Sequence, residues 1–205
     1  MIEAFKESIE KAKADTPDRT LAEAISGLRP LIPKKVKNRT DIEDAESGFT
    51  VDKPAAGGNK PYLISINGPH PLAGSIIFNH KARYNNPRDV KIFGRLPQGC
   101  NSLHPSIEDI MPYKSRNGIF KDKYFKLVAG EACKTVCAHM KFDCNMYIHP
   151  TQPRGLTPRE SARVQTFPDN YVFKGTLGQW YQQIGNAVPP LLAFHIAKAL
   201  KSALR

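Results

Sequence analysis

Thr157, Pro158 and Glu160 constrain this chain more than any other short stretch, because together they specify where a helix must begin. Thr157 carries the side chain of an N-cap, Pro158 suits the first helical position, and Glu160 stands where a carboxylate reaches back to the cap. This capping box predicts a helix that runs towards Thr166 and ends before Pro168. Arg159 and Arg163 lie four residues apart on one face of it, placed to brace loops or to meet phosphate. A surface helix with two solvated arginines is the plainer alternative. A second helix starts near Pro189 or Pro190 and puts Leu192, Ile196, Leu200 and Ala203 on one face. Between the two helices a loop is expected from Asp169 to Val188, in which Gly185 and Asn186 suit a tight turn.

At the other end, Ile2, Phe5, Ile9 and Ala12 make one apolar stripe among Lys and Glu, the pattern of a surface helix. Thr20 and Glu23 repeat the capping box and predict a short helix through Ile25, closed by Gly27. Residues 41–60 are poor in large apolar side chains and read as an irregular loop. Short β-favouring runs follow at Tyr62 to Ile66, Ser75 to Phe78, Tyr124 to Val128, Lys134 to Met140 and Asn145 to Ile148. The expectation is α+β: a small, irregular, mostly-β unit flanked by helices.

Charge is divided unevenly. Residues 1–50 hold 9 Lys+Arg against 10 Asp+Glu, leaving 21 against 9 in the remainder of a chain whose net charge is +11. A basic excess confined to one part is the footprint of a phosphate-backbone binder, although a merely soluble basic surface reads the same way. Cys133, Cys137, His139 and Cys144 crowd together, but no C-x2-C pair is present, so no metal site is expected, with a zinc-stabilised binding domain as an alternative. The apolar runs are too short for a membrane span and the N-terminus does not read as a signal peptide, so a soluble, cytoplasmic protein is expected.

The stretch from Arg154 to Pro168 (RGLTPRESARVQTFP) and Gln183 to Pro190 (QIGNAVPP) resemble the ninth and tenth conserved blocks of DNA cytosine-5 methyltransferases. Weaker likeness extends upstream through Thr20 to Leu28, Leu96 to Asn101 and Tyr147 to Pro153. The resemblance implies that Arg154, Thr157, Arg159, Glu160 and Arg163 form a structural motif. It also implies that Asn186, Ala187 and Gly185 contribute to S-adenosylmethionine binding. Thr135–Val136 is similar to the pair that opens the second base-reading loop, so Arg116 to Tyr124 and Cys137 to Asn145 become the loops facing DNA, with Arg116, Lys121, Lys123, His139 and Lys141 as contacts.

Enzymes of that family flip the target cytosine out of the duplex and attack its C6 with a thiolate, activating C5 towards methyl transfer. Their nucleophile lies in a Pro-Cys block, the acid that contacts the base in Glu-Asn-Val, and the cofactor loop in Gly-x-Gly. None of these three occurs in the 205 residues, so no catalytic residue is expected here. Met1 opening directly into a helix suggests a genuine start. The resemblance therefore implies a split bacterial restriction-modification enzyme in which this chain binds double-stranded DNA, shares S-adenosylmethionine with a catalytic partner, and is inactive alone. Its expected parts are 1–40 joining the catalytic domain, 41–166 for target recognition, and 167–205 packing on the α/β catalytic domain. The alternatives are a truncated piece of a single-chain enzyme and a DNA-binding module without catalysis.

Overall fold

The computed structural model describes residues 2–204 except Thr16, Asn38, Ala56, Gly57, Asn59 and the stretches 69–74 and 113–122. In chain order its elements are α1 (Ile2–Ala14), α2 (Leu21–Ile25), β1 (Gly48–Asp52), α3 (Lys60–Asn67), β2 (Ile77–Lys81), α4 (Pro87–Arg95), α5 (Pro158–Val164), α6 (Leu177–Asn186) and α7 (Pro190–Ala203). Short 3-10 turns lie at Pro105–Ile107 and Ala138–Lys141. Among the described residues no helix is long and apolar enough to cross a membrane.

The α+β reading holds, but the centre is not mostly β. Among the described residues it carries one two-stranded antiparallel sheet, with Gly48 opposite Lys81 and Asp52 opposite Ile77. β1 thus lies inside the stretch expected to be irregular. Gly48 is essential to the pairing: its φ is 108°, and a Cβ there would sit 2.2 Å from the His80 carbonyl oxygen. The run Tyr62 to Ile66, expected to be extended, is helical in α3. Tyr62 and Ile66, one turn apart, both bury against Ala24, which a strand could not arrange in that spacing. Tyr124 to Val128 and Asn145 to Ile148 meet through isolated bridges, Lys126 to Ile148 among them, and not as ladders. Lys134 to Met140 ends in the Ala138–Lys141 turn.

Two further helices correct the expected loops. Asn86 caps α4, and Ile92 and Phe93 on it are buried. Thr176 and Gln179 form a third capping box, so α6 occupies half of the expected loop 169–188 and puts Gly185 and Asn186 in its last turn instead of a tight turn.

Helix α5 is the hub. Arg154, Arg159 and Arg163 are all fully buried, which rules out both the solvated-surface reading and phosphate contact for Arg159 and Arg163. Arg154 grips both oxygens of Glu160 at 2.7 Å, and Arg163 grips Asp169 at 2.7 and 2.9 Å. Arg159 donates to three carbonyls, those of Phe78, Pro168 and Tyr171. Each guanidinium thereby closes a different segment onto the helix. Arg154 also reaches Leu31 O, and Arg163 reaches Ser26 O. Thr166, at φ 60° just beyond α5, accepts from the Leu191 amide and so pins the start of α7.

Two histidines sit neutral in this network. His80 Nε2 faces the Arg29 carbonyl and its Nδ1 faces the Thr157 hydroxyl, so Nε2 carries the proton and Thr157 donates to Nδ1. His149 accepts two backbone amides at Nδ1, from Thr151 and Gln152. Burial depresses both to about 4, against 6.5 in an exposed imidazole. Between those values the unfolded chain binds protons that the folded chain refuses, so stability falls as pH falls from about 6.5 to about 4. The slope is up to about 1.4 kcal/mol per pH unit for each histidine. Glu160, held below the usual carboxylate range by Arg154 against the opposing effect of burial, adds its loss at lower pH still. Thermal unfolding across this range should show that slope, and His80→Gln should flatten it. Arg163→Met, which leaves Asp169 buried without its cation, should cost about 3–5 kcal/mol in chemical denaturation.

Candidate functional site

Tyr124, Leu127, Cys144, Tyr147 and Ile148 are buried, so the sides of the expected DNA-reading region are built into the core. Between them the chain from Thr135 to Lys141 comes to the surface: Thr135 and His139 are exposed, Lys141 is half-buried, and Val136 and Met140 point inward. Lys123 is exposed as well, whereas Arg116 and Lys121 lie outside the described residues. Tyr124, at the end of the first expected loop, donates its hydroxyl to Asp89 and faces no ligand.

Main-chain grips set the position of this segment. The Tyr147 hydroxyl donates to Thr135 O at 2.7 Å, and the Gln165 amide donates to Val136 O at 3.3 Å. The same Gln165 amide also reaches Ile184 O at 3.4 Å, so one buried side chain spans from Val136 to the last turn of α6. Gly185 completes the junction. A Cβ there would lie 2.2 Å from both Ala138 N and Cys137 C, so α6 approaches this backbone as closely as it does only because residue 185 has no side chain. Gly185, expected at a cofactor pocket, is placed here as a packing residue between helix and loop.

Asn186 and Ala187 follow immediately. Asn186 is exposed, and among the described residues its side chain makes no hydrogen bond; Ala187 is half-buried and caps α6. Val188 (62 % exposed), Leu192 (52 %) and Phe194 (60 %) continue the surface onto α7. Such a run of large exposed apolar side chains beside an uncommitted amide is an unfinished surface. An uncommitted amide next to a small residue fits one edge of a polar ligand's pocket and supplies no enclosing wall. Among the described residues no group of His, Cys, Asp or Glu converges as a metal site. Cys144 lies buried against Arg83, while Cys137 meets Tyr147.

Gln165 and Tyr147 are functional-segment supports that sequence reasoning passed over. The Thr176–Gln179 capping box was the signal available for α6, and a glutamine inside a helix end gave none for Gln165.

The fold matches part of a protein described as a DNA modification methyltransferase encoded within an E. coli prophage: the two superpose with a TM-score of 0.63 over 90 % of this chain and 47 % of that protein, at 23 % identity. The chain itself belongs to the C-5 cytosine-specific DNA methylase family, which it matches over residues 22–202. It is 36 % identical over 172 residues to the type II methyltransferase M.DdeI of Desulfomicrobium norvegicum, covering 78 % of this chain and 40 % of that protein. To the type II methyltransferase M.AgeI of Thalassovita gelatinovora it is 41 % identical over 101 residues, 49 % of this chain and 23 % of the relative. A shorter stretch of 59 residues, 29 % of this chain and 4 % of the relative, is 56 % identical to DNA (cytosine-5)-methyltransferase 2 of Arabidopsis thaliana. The chain thus spans less than half the length of these relatives.

Gln165→Leu, which strips Val136 O of its donor and leaves Ile184 O with the Ala187 amide alone, should lower unfolding free energy by about 1–3 kcal/mol. Amide exchange should accelerate at Cys137 and Ala138 and not in α1; equal acceleration in α1 would show general loosening and dismiss the grip.

Proposed function

We propose that this chain is the DNA-reading and cofactor-pocket-completing part of a DNA cytosine-5 methyltransferase of a restriction-modification system. The catalytic Pro-Cys, Glu-Asn-Val and Gly-x-Gly blocks lie on a partner chain. One observation carries the reading: Gln165 and Gly185 join the segment that displays Thr135 directly to the helix end that displays Asn186. A part that must present a base reader and a cofactor edge to the same reaction needs that rigid connection. The uncovered apolar face of α7 supports a partner docked beside Asn186.

In this reading Thr135, His139 and Lys123 face the major groove together with Arg116 and Lys121, Lys141 meets the DNA backbone at their edge, and Val136, expected among the contacts, is buried and supports them from behind. Residues 41–166 serve target recognition, while 1–40 and 167–205 meet the catalytic domain. S-adenosylmethionine, shared with the partner, supplies the methyl group. Asn186 would hold it by a side-chain hydrogen bond, and Ala187 would leave room for it. The α5 network keeps that edge fixed relative to the loop that reads DNA, so a cytosine chosen by one is delivered in register with the other.

The purified chain alone should transfer no labelled methyl group to DNA, and mixing it with a chain carrying the three missing blocks should restore transfer. Methylation by the single chain would refute the split. In the assembled enzyme, Asn186→Ala should raise the KM for S-adenosylmethionine about tenfold, the effect of about 1.4 kcal/mol, with duplex affinity unchanged. An unaltered KM would remove Asn186 from the pocket.

A further inference from the structure

Behind the Ala138–Lys141 turn lies an open cleft of about 610 Å3 whose wall collects cations from three distant segments. Lys34 and Lys37 come from the strand-like stretch after α2, Arg83 from the end of β2, and Lys141 from the turn itself. A backbone hydrogen bond from Lys34 N to Arg83 O sets the first two segments side by side. Arg83 then donates to Met140 O and Phe142 O, which seats the turn carrying Lys141 on the same cleft.

The charges there are poorly answered. Buried cations are ordinarily matched by carboxylates, yet among the described residues none of these four has one as an ion-pair partner. Lys34 is buried and gives two of its three protons to the carbonyls of Arg39 and Ile42. Arg83 meets two carbonyls and the Cys144 sulfur. Lys141 reaches the Gln182 amide oxygen at 3.4 Å and lies over the Phe142 ring. A fifth cation in the wall, Arg39, is paired with Asp41; of the two carboxylates there, Asp89 is engaged by Asn86 and Tyr124, which leaves Asp143 against the other four cations. Burial and the neighbouring Lys81 pull Lys34 down to about 8, against the opposing pull of Asp44, Asp41 and Glu43. The N-terminus of α6, whose Leu177 amide is held by Thr40, adds its positive end to the same wall.

We propose that this cleft seats a backbone phosphate of double-stranded DNA, outside the segment that reads bases, with Lys37 and Lys141 touching the phosphate directly and Lys34 and Arg83 holding the field beneath them. It rests on the DNA-reading role proposed above. A cleft of this size excludes a duplex but admits a sugar–phosphate edge, and Lys141 makes its wall continuous with the Thr135–Lys141 segment. The phosphate chemistry is shared with free phosphate, and the two sources are separable.

The test is anisotropy of a dye-labelled duplex titrated with the full chain at several salt concentrations, for the wild type, the double variant Lys37→Gln/Lys141→Gln, and Lys198→Gln on α7 as a remote lysine. Lys37 is exposed and Lys141 is partly so, and unchanged thermal midpoints would confirm that folding is intact. The double variant should weaken binding equally on two unrelated duplexes. It should also reduce the slope of log affinity against log salt by about 0.9, the value for one phosphate no longer neutralised. Lys198→Gln should leave the slope alone. If the wild type binds duplex and the double variant keeps the full slope, the cleft proposal is overturned while the DNA-reading role stands. Calorimetry with inorganic phosphate supplies the other arm: tight binding abolished in the double variant, with the duplex slope unchanged, would make this a free-phosphate site and overturn the proposal. If the chain binds no duplex with or without its catalytic partner, the DNA-reading role falls, and this proposal with it.

Discussion

Three arginines with nowhere to go but inward govern this molecule. A buried guanidinium that is not answered costs several kcal/mol, so each one on or before α5 forces the chain to bring it acceptors. Arg154 recruits Glu160 and the Leu31 carbonyl, Arg159 one carbonyl of β2 and two of the loop after α5, and Arg163 both Asp169 and the end of α2. Such a network is a weak source of net stability compared with apolar packing, because desolvation offsets much of the attraction. What it supplies is direction. A guanidinium fork accepts few geometries, and segments as far apart in sequence as 26, 78 and 169 are therefore brought to single positions around one short helix.

Glu160 shows how tightly the levels are joined. Its carboxylate closes the capping box on the Thr157 amide and at the same time neutralises Arg154. Thr157, the cap, in turn donates to His80 on β2. Local helix initiation, ion pairing and sheet attachment are one set of hydrogen bonds here, so they are gained or lost together. The acid sensitivity of the two buried histidines belongs to the same set.

The parts legible in the sequence are those encoded within a few residues. The capping boxes at Thr20 and Thr157, the stripe of α1 and the start of α7 at Pro190 follow from local rules, and the structure has them where those rules put them. The misreadings have a common cause. Tyr62 to Ile66 is β-favouring by residue type, yet contact with Ala24 and the bond from the Tyr62 hydroxyl to Arg163 O make it helical. The β1–β2 pairing joins Gly48 to Lys81 across a gap in which no local signal points to a partner. Burial of Arg159 and Arg163 was likewise invisible, because an i, i+4 pair of arginines looks the same on a wet helix and on a buried one. The family motifs located the candidate site; its internal wiring through Gln165 and Gly185 required the fold.

That wiring has one property with a longer reach. Tyr147 holds Thr135 by its carbonyl, Gln165 holds Val136 by its carbonyl, and Gly185 packs on the peptide between Cys137 and Ala138. Every one of these grips addresses main-chain atoms that all twenty amino acids share. The frame therefore makes few demands on the side chains that the segment displays, beyond the inward-facing Val136 and Met140. Exposed positions such as Thr135 and His139 can be rewritten without disturbing the mount that carries them, much as type can be reset in a fixed press. A protein built this way can change the words it reads while keeping the same hand on the page.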